Sequence, residues 1–130
     1  MLNTAPVVPF LATTDAAAST AFYRDILGLE FIEDTPFAVV FHTGSGTLRI
    51  SKVEAFTPQP FTVLGFMVDD IVTRRVALGT KGVTFERYPF MPQDNLDLLT
   101  FEGGARVCWF KDPDGNLLSL TQLYQEDLNG

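Results

Sequence analysis

The chain is poor in the residues that build metal centres and covalent chemistry: one Cys, one His and one Trp in 130 residues. A lone Cys108 excludes an intrachain disulfide, a pattern that fits a cytoplasmic protein. Cys108 lies in the apolar run Val107-Cys108-Trp109-Phe110, which predicts an inert strand residue rather than a nucleophile. With His42 as the single histidine, a two-His-one-carboxylate iron site cannot be built, and a catalytic zinc site lacks its usual ligands. Basic residues are also scarce, 9 against 16 acidic ones, and they do not cluster, which argues against nucleic acid as a partner. No apolar run approaches the ~18 residues of a membrane span. Met1-Leu2-Asn3-Thr4 has no basic segment leading into an apolar stretch, so no signal peptide is expected. Gly44-Ser45-Gly46 is too short for a phosphate loop, and Ser19, Ser45 and Ser51 lack the context of a nucleophile elbow.

What is present is a globular composition, 46% hydrophobic and 19% charged, of a length suited to one domain spanning 1–130. Phe is abundant, with 12 copies, which suits an aromatic core and is compatible with an aromatic ligand pocket. The net charge of −7 favours solubility and would steer a cationic guest.

Periodicity and turn chemistry predict two similar modules, about 6–54 and about 61–124, joined by a proline-bearing linker at about 55–60. The first begins with a strand over Val7–Ala12, interrupted by Pro9. Thr14 and Asp15 then cap a helix whose apolar stripe is Ala18, Ala21, Phe22 and Ile26, closed by Gly28. Strands over Leu29–Ile32, Phe37–Thr43 and Thr47–Ser51 follow, the last two joined by the Gly44-Ser45-Gly46 hairpin. The second module predicts a strand over Phe61–Val68, a helix capped by Asp69 and Asp70 and closed by Gly82, and a strand over Val83–Arg87. After a long loop come strands over Leu96–Phe101, Val107–Phe110 and Leu117–Leu123. Gly103-Gly104 and Asp112-Pro113-Asp114-Gly115 mark the turns between them.

The repeat shows in the spacing. Asp15 precedes Gly28, and Asp69 precedes Gly82, by thirteen residues. Each glycine leads into a short strand with an aromatic residue, Phe31 or Phe85, and about fifteen extra residues lie between Val83 and Val107. A βαβββ unit covers one sheet face with its helix and leaves the other to a partner. The reading is therefore an α+β fold of two tandem βαβββ modules, a curved mixed sheet around a cleft that is the default ligand site.

Three segments carry a family resemblance. Ala21-Phe22-Tyr23-Arg24-Asp25-Ile26-Leu27-Gly28-Leu29 resembles the helix-end signature of the vicinal oxygen chelate superfamily, which groups glyoxalases, bleomycin resistance proteins and extradiol dioxygenases. Val68-Asp69-Asp70-Ile71 is similar to the start of its second helix, and Trp109-Phe110-Lys111-Asp112-Pro113-Asp114-Gly115-Asn116-Leu117 to its closing hairpin. The resemblance spans Val7 to Gln122 and implies the fold rather than the chemistry.

The family's enzymes hold a divalent metal through His, Glu or Gln on four strands. Carried over position by position, those ligands fall on Pro9 or Val8, on Val63 or Thr62, on Ser119, and on Ile50 as the repeat counterpart of Ser119. None is a competent ligand, so no metal and no cofactor are expected. Strand alternation from these positions predicts a ligand-facing set that includes Phe10, Ile50, Met67, Ser119 and Thr121 together with Leu48, with Trp109 and the loop from Tyr88 to Leu96 over the pocket. The same alternation places Arg49, which could pair with an acidic ligand, outward on the solvated side.

The implied function is metal-independent binding of an apolar or cationic small molecule in the cleft, as in the bleomycin-resistance branch, by a two-fold homodimer without a membrane partner. The alternative is a superfamily enzyme: a lyase, isomerase or dioxygenase. A metal-free enzyme would use His42 as base, with Ser119 or Thr121 for orientation. A domain with a regulatory ligand is a further reading.

Overall fold

The structure, a computed structural model, describes residues 1–123, so the sequence-based end of the second module at Tyr124 lies outside the described residues. The chain forms two compact units, Met1–Pro58 and Gln59–Gly130.

The first unit opens with β1 (Phe10–Thr13), shorter than the sequence predicts because it starts only after Pro9. Proline lacks the N–H a ladder needs. The Thr13 hydroxyl accepts from Asp15 N–H, and the Asp15 carboxylate accepts from Ala18 N–H, which starts α1 (Ala16–Ala21). α1 runs into a π-helical turn over Phe22–Ile26. Leu29 N–H then reaches back to the Tyr23 carbonyl across Gly28, which takes φ 76° as a closing glycine must. The buried residues are Ser19, Phe22 and Tyr23; of the expected stripe Ala18 and Ile26 are half-buried and Ala21 is exposed. A reading confined to apolar residues skips Ser19 and Tyr23, although their spacing is helical.

β2 (Glu30–Asp34), β3 (Ala38–Thr43) and β4 (Gly46–Lys52) complete this unit in the order β1-β4-β3-β2, with β1 parallel to β4. β2 is exposed along its whole length and bulges between Phe31 and Glu33. The Tyr23 ring packs 5.8 Å from Phe41, and Phe31 meets Phe41 edge-on at 6.0 Å. Directly paired residues share a face, so Leu11, Val39, Phe41, Leu48 and Ile50 lie on the helix-covered side.

The second unit repeats the plan. β5 (Leu64–Met67) leads to α2 (Ile71–Thr80), capped by the Asp70 side chain on Thr73 N–H. β6 (Leu99–Thr100), β7 (Arg106–Lys111) and β8 (Leu117–Gln122) form a sheet ordered β5-β8-β7-β6, with β5 parallel to β8. The predicted strand Val83–Arg87 is reduced to a single bridge, Phe85 with Phe110. Its rings meet at 5.5 Å, repeating Phe31 with Phe41. The Arg75 guanidinium, 4.5 Å from the Phe85 ring, extends that stack.

Arg75 explains why the strand stops short. It donates to Asp97, as does Arg87, each at 2.6 Å, and Arg87 also holds the carbonyls of Asp94 and Gln93. The Gln93 side chain binds Tyr88 N–H and the carbonyls of Glu86 and Asp97. These bonds satisfy the backbone of the extra segment within itself instead of along a sheet edge. Asp97 has φ 65°, the one non-glycine in the left-handed region among the described residues. The β7–β8 hairpin is locked in the same way: the buried Asp112 carboxylate accepts from Asp114 N–H, Asn116 N–H and Asn116 Nδ2.

Burial opposes ionisation of Asp97, but hydrogen bonds and charge from Arg75 and Arg87 outweigh it, so its pKa lies below the ordinary 3.8. A lowered carboxylate pKa stabilises the fold above the unfolded value, and that gain is lost as the pH falls through the folded value. Asp97→Asn keeps a residue tolerant of left-handed backbone and removes the charge. It is expected to cost about 3 kcal/mol at neutral pH, measured by urea unfolding. The variant and the parent should converge as the pH drops below 3.8; a gap independent of pH would contradict this role.

Candidate functional site

In each unit the helix covers one sheet face; the opposite face, the open one, mixes exposed residues with buried ones, Ala38, Val40, Val107, Leu117 and Ser119. In the second, α2 covers the side of Cys108, Phe110, Leu118 and Leu120, and Ile71 N–H donates to the Gln122 side chain on that side at 2.8 Å. The opposite side carries Gly65 and Met67 from β5, Val107 and Trp109 from β7, and Leu117, Ser119 and Thr121 from β8. Met67, Trp109, Ser119 and Thr121, four of the predicted ligand-facing residues, thus share one face. Gly65 pairs with Ser119, and a Cβ there would stand 3.0 Å from the Ser119 hydroxyl. The missing side chain leaves Ser119 room beside its neighbours.

Trp109 is the most elaborately held residue of this face. Its indole N–H donates to the Thr62 hydroxyl at 3.1 Å, and Tyr88 meets it edge-on at 5.8 Å. Tyr88 in turn packs 5.8 Å from Phe90, which is 77% exposed. Tyr88 and Phe90 belong to the Tyr88–Leu96 loop that the sequence puts over the pocket with Trp109, although sequence reasoning singles out neither ring. Both sit on the extra segment, whose course is set by side-chain bonds rather than by periodicity. Burial first, and then the Glu86 carboxylate, raise the pKa of the Tyr88 phenol.

In the first unit the open face carries Phe10 and Ala12 from β1, Ala38, Val40 and His42 from β3, and Thr47, Arg49 and Ser51 from β4. The expectation for Ile50 and Leu48 is corrected here. Ile50 pairs with Leu11, lies under the helix and is fully buried, while Arg49 pairs with Phe10 on the open face. Equivalent cross-strand pairs enclose one more residue in the β7–β8 hairpin than in the β3–β4 hairpin. Phe41 faces Leu48 across its hairpin, whereas Phe110 faces Leu118, so the repeat counterpart of Ser119 is Arg49. A slip of one residue moves every side chain to the other face. His42 stands exposed on this open side, paired with Thr47 and beside Glu30 of β2.

The residues do not fit the divalent metal of the family's enzymes. Val8 or Pro9, and Thr62 or Val63, offer apolar groups or a hydroxyl, and Ser119 offers a hydroxyl. Arg49, at the fourth position, is a fixed positive charge. Among the described residues no three of His, Cys, Asp and Glu gather into a potential metal site. No described helix is long and apolar enough to cross a membrane.

Two mixed four-stranded sheets, each folded from a βαβββ module with its first strand parallel to its last, define the class. The sequence profile of the Glyoxalase/Bleomycin resistance protein/Dioxygenase superfamily matches residues 5–120, and the chain belongs to that superfamily. Comparison with curated proteins finds no match. Among solved structures, the chain is similar to a lactoylglutathione lyase from Agrobacterium tumefaciens, with 21% identity, TM-score 0.71, and 92% of this chain and 93% of that one covered. A superfamily member from Sphaerobacter thermophilus DSM 20745 aligns with TM-score 0.74 and 21% identity over 94% of this chain and 99% of the other. One from Alicyclobacillus acidocaldarius gives 0.72 and 16% identity, with 96% of each chain covered. At such identities the likeness concerns the fold.

Cys108 lies under α2 with no exposed surface, and burial pushes its thiol up to about 12. It is therefore a neutral thiol at every physiological pH. A thiol reagent such as DTNB at pH ~8 should leave Cys108 untouched in the folded protein and label it fully once guanidinium unfolds the chain. Rapid labelling of the native state would contradict its placement.

Proposed function

We propose that this chain is a metal-independent small-molecule binding protein whose ligand is largely apolar and rests on the open face around Trp109. The observation that carries the reading is the constrained aromatic corner of Trp109, Tyr88 and Phe90 beside exposed Met67, on a face with no metal donor. Rigid aromatic surface binds apolar rings at low entropic cost, and the hydroxyls of Ser119 and Thr121 supply orientation rather than chemistry. The apolar half of the sequence-based expectation is favoured over the cationic half, because Gly65, Met67, Val107, Trp109, Leu117, Ser119 and Thr121 on this face bring no carboxylate to pair with a cation. Assembly as a two-fold dimer belongs to the same proposal, supported by exposed Phe10, Phe37, Phe61 and Phe90.

Trp109 is the one tryptophan in the chain, so its fluorescence reports this face alone. EDTA-treated protein is expected to show no rise in unfolding midpoint with nickel, zinc, manganese or iron(II), and the untreated sample no metal near one per chain. Neutral aromatic compounds should quench or shift Trp109 emission and raise the midpoint. The stabilisation is about 2.7 kcal/mol at a hundredfold excess over the dissociation constant. A stoichiometric metal whose return restores stability would sink the reading in favour of the superfamily's lyase or dioxygenase chemistry.

A further inference from the structure

Six arginines lie in the described residues, and five are paired with aspartate: Arg24 with Asp25, Arg74 with Asp69, Arg75 and Arg87 with Asp97, and Arg106 with Asp94. Arg49 is the exception. Among the described residues its guanidinium has neither an ion pair nor a hydrogen bond, in a chain whose net charge is −7. It is also only partly exposed. A guanidinium with no partner inside the protein is available to an anion from outside it.

The surroundings of Arg49 suit one kind of anion. Its guanidinium carbon lies over the Phe10 ring, 5.9 Å from the centroid, and no described acceptor takes its N–H groups. Alternation along β4 puts the hydroxyls of Thr47 and Ser51 on the same side, two residues either way. No protein partner among the described residues takes either side-chain hydroxyl. Two acids of β2 share this face, Glu30 opposite His42 and Glu33 opposite Val40, which itself pairs with Arg49; β3 lies between both of them and β4, and neither forms an ion pair with Arg49. A flat fork of N–H donors flanked by hydroxyls and backed by an exposed ring matches a carboxylate carried on an apolar body.

We propose that Arg49 is the anion anchor of a binding site on the open face of the first unit, and that the ligand class of this site is a small apolar carboxylate. The proposal goes beyond the Trp109-face reading and is built from other residues. Phe10 is a positioning residue: it holds the guanidinium plane while the carboxylate takes the N–H edge. The anchor is built in the first unit and uses no residue of the Trp109 face, so the two can be tested separately.

Matched pairs of probes differing only in charge provide the test: benzoate with benzamide, phenylacetate with phenylacetamide, and 2-naphthoate with 2-naphthamide, titrated calorimetrically into the full chain. The acid of at least one pair is expected to bind about ten- to a hundredfold more tightly than its amide, the range of a hydrogen bond to a charged group. Arg49→Gln should abolish that preference while retaining the parent's unfolding midpoint, and Arg49→Lys should keep part of it. Arg74→Gln, on exposed α2, controls for loss of a positive charge anywhere. Amides that bind as well as acids overturn the anion anchor and leave the small-molecule reading standing. An acid preference that survives in Arg49→Gln overturns the assignment to Arg49. Failure of every probe to bind overturns both.

Discussion

Each unit depends on one pairing, the parallel ladder between its first strand and its last. β1 on β4 and β5 on β8 join the two ends of a module across its sheet. This ladder decides which side chains go under the helix and which remain on the open face. It sets Ile50 against Leu11 in the core and Arg49 against Phe10 outside it. In the second unit it sets Gly65 against Ser119 and Met67 against Thr121. A shift of one residue in either ladder would exchange core and surface. The aromatic pairs Phe31 with Phe41 and Phe85 with Phe110 hold the other edge of each sheet against such a shift.

The two units solve one packing problem with different chemistry. In the first, the Tyr23 ring closes the aromatic stack from the helix side. In the second, the Arg75 guanidinium takes that place and brings a charge that must be answered. Asp97 answers it, and the extra segment is what delivers Asp97. The same segment places Tyr88 against Trp109. A requirement of the core and a feature of the candidate site are thereby met by one loop.

Much of this was legible in the sequence because it depends on local chemistry. Asp15 and Asp70 cap their helices, Gly28 and Gly82 take positive φ at the ends, and Asp112 to Gly115 turns the last hairpin. Such features need only a few adjacent residues. The misreadings share a different cause. The buried helix stripe includes Ser19 and Tyr23, whose polar atoms disguise their burial. The expected strand at Val83–Arg87 is reduced to one bridge beside a network closed by Gln93 and Asp97, which lie beyond the reach of a strand-length pattern. Ile50 and Arg49 exchange roles because equivalent pairs in the β7–β8 hairpin enclose one residue more than in its counterpart, a difference invisible to a repeat measured between glycines.

β2 contributes little to the core, yet its composition bears on how copies of the chain can meet. It is an edge strand, exposed throughout, with a bulge after Phe31 and with Glu30, Glu33 and Asp34 among its five residues. Two copies brought edge to edge by a two-fold axis would set these carboxylates against one another, and the bulge would break the continuous ladder such a sheet requires. Apolar Phe31 and Ile32 would otherwise make this edge a template for runaway sheet growth. The acidic edge acts as a guard against polymerisation and directs any symmetric assembly to other surfaces of the protein.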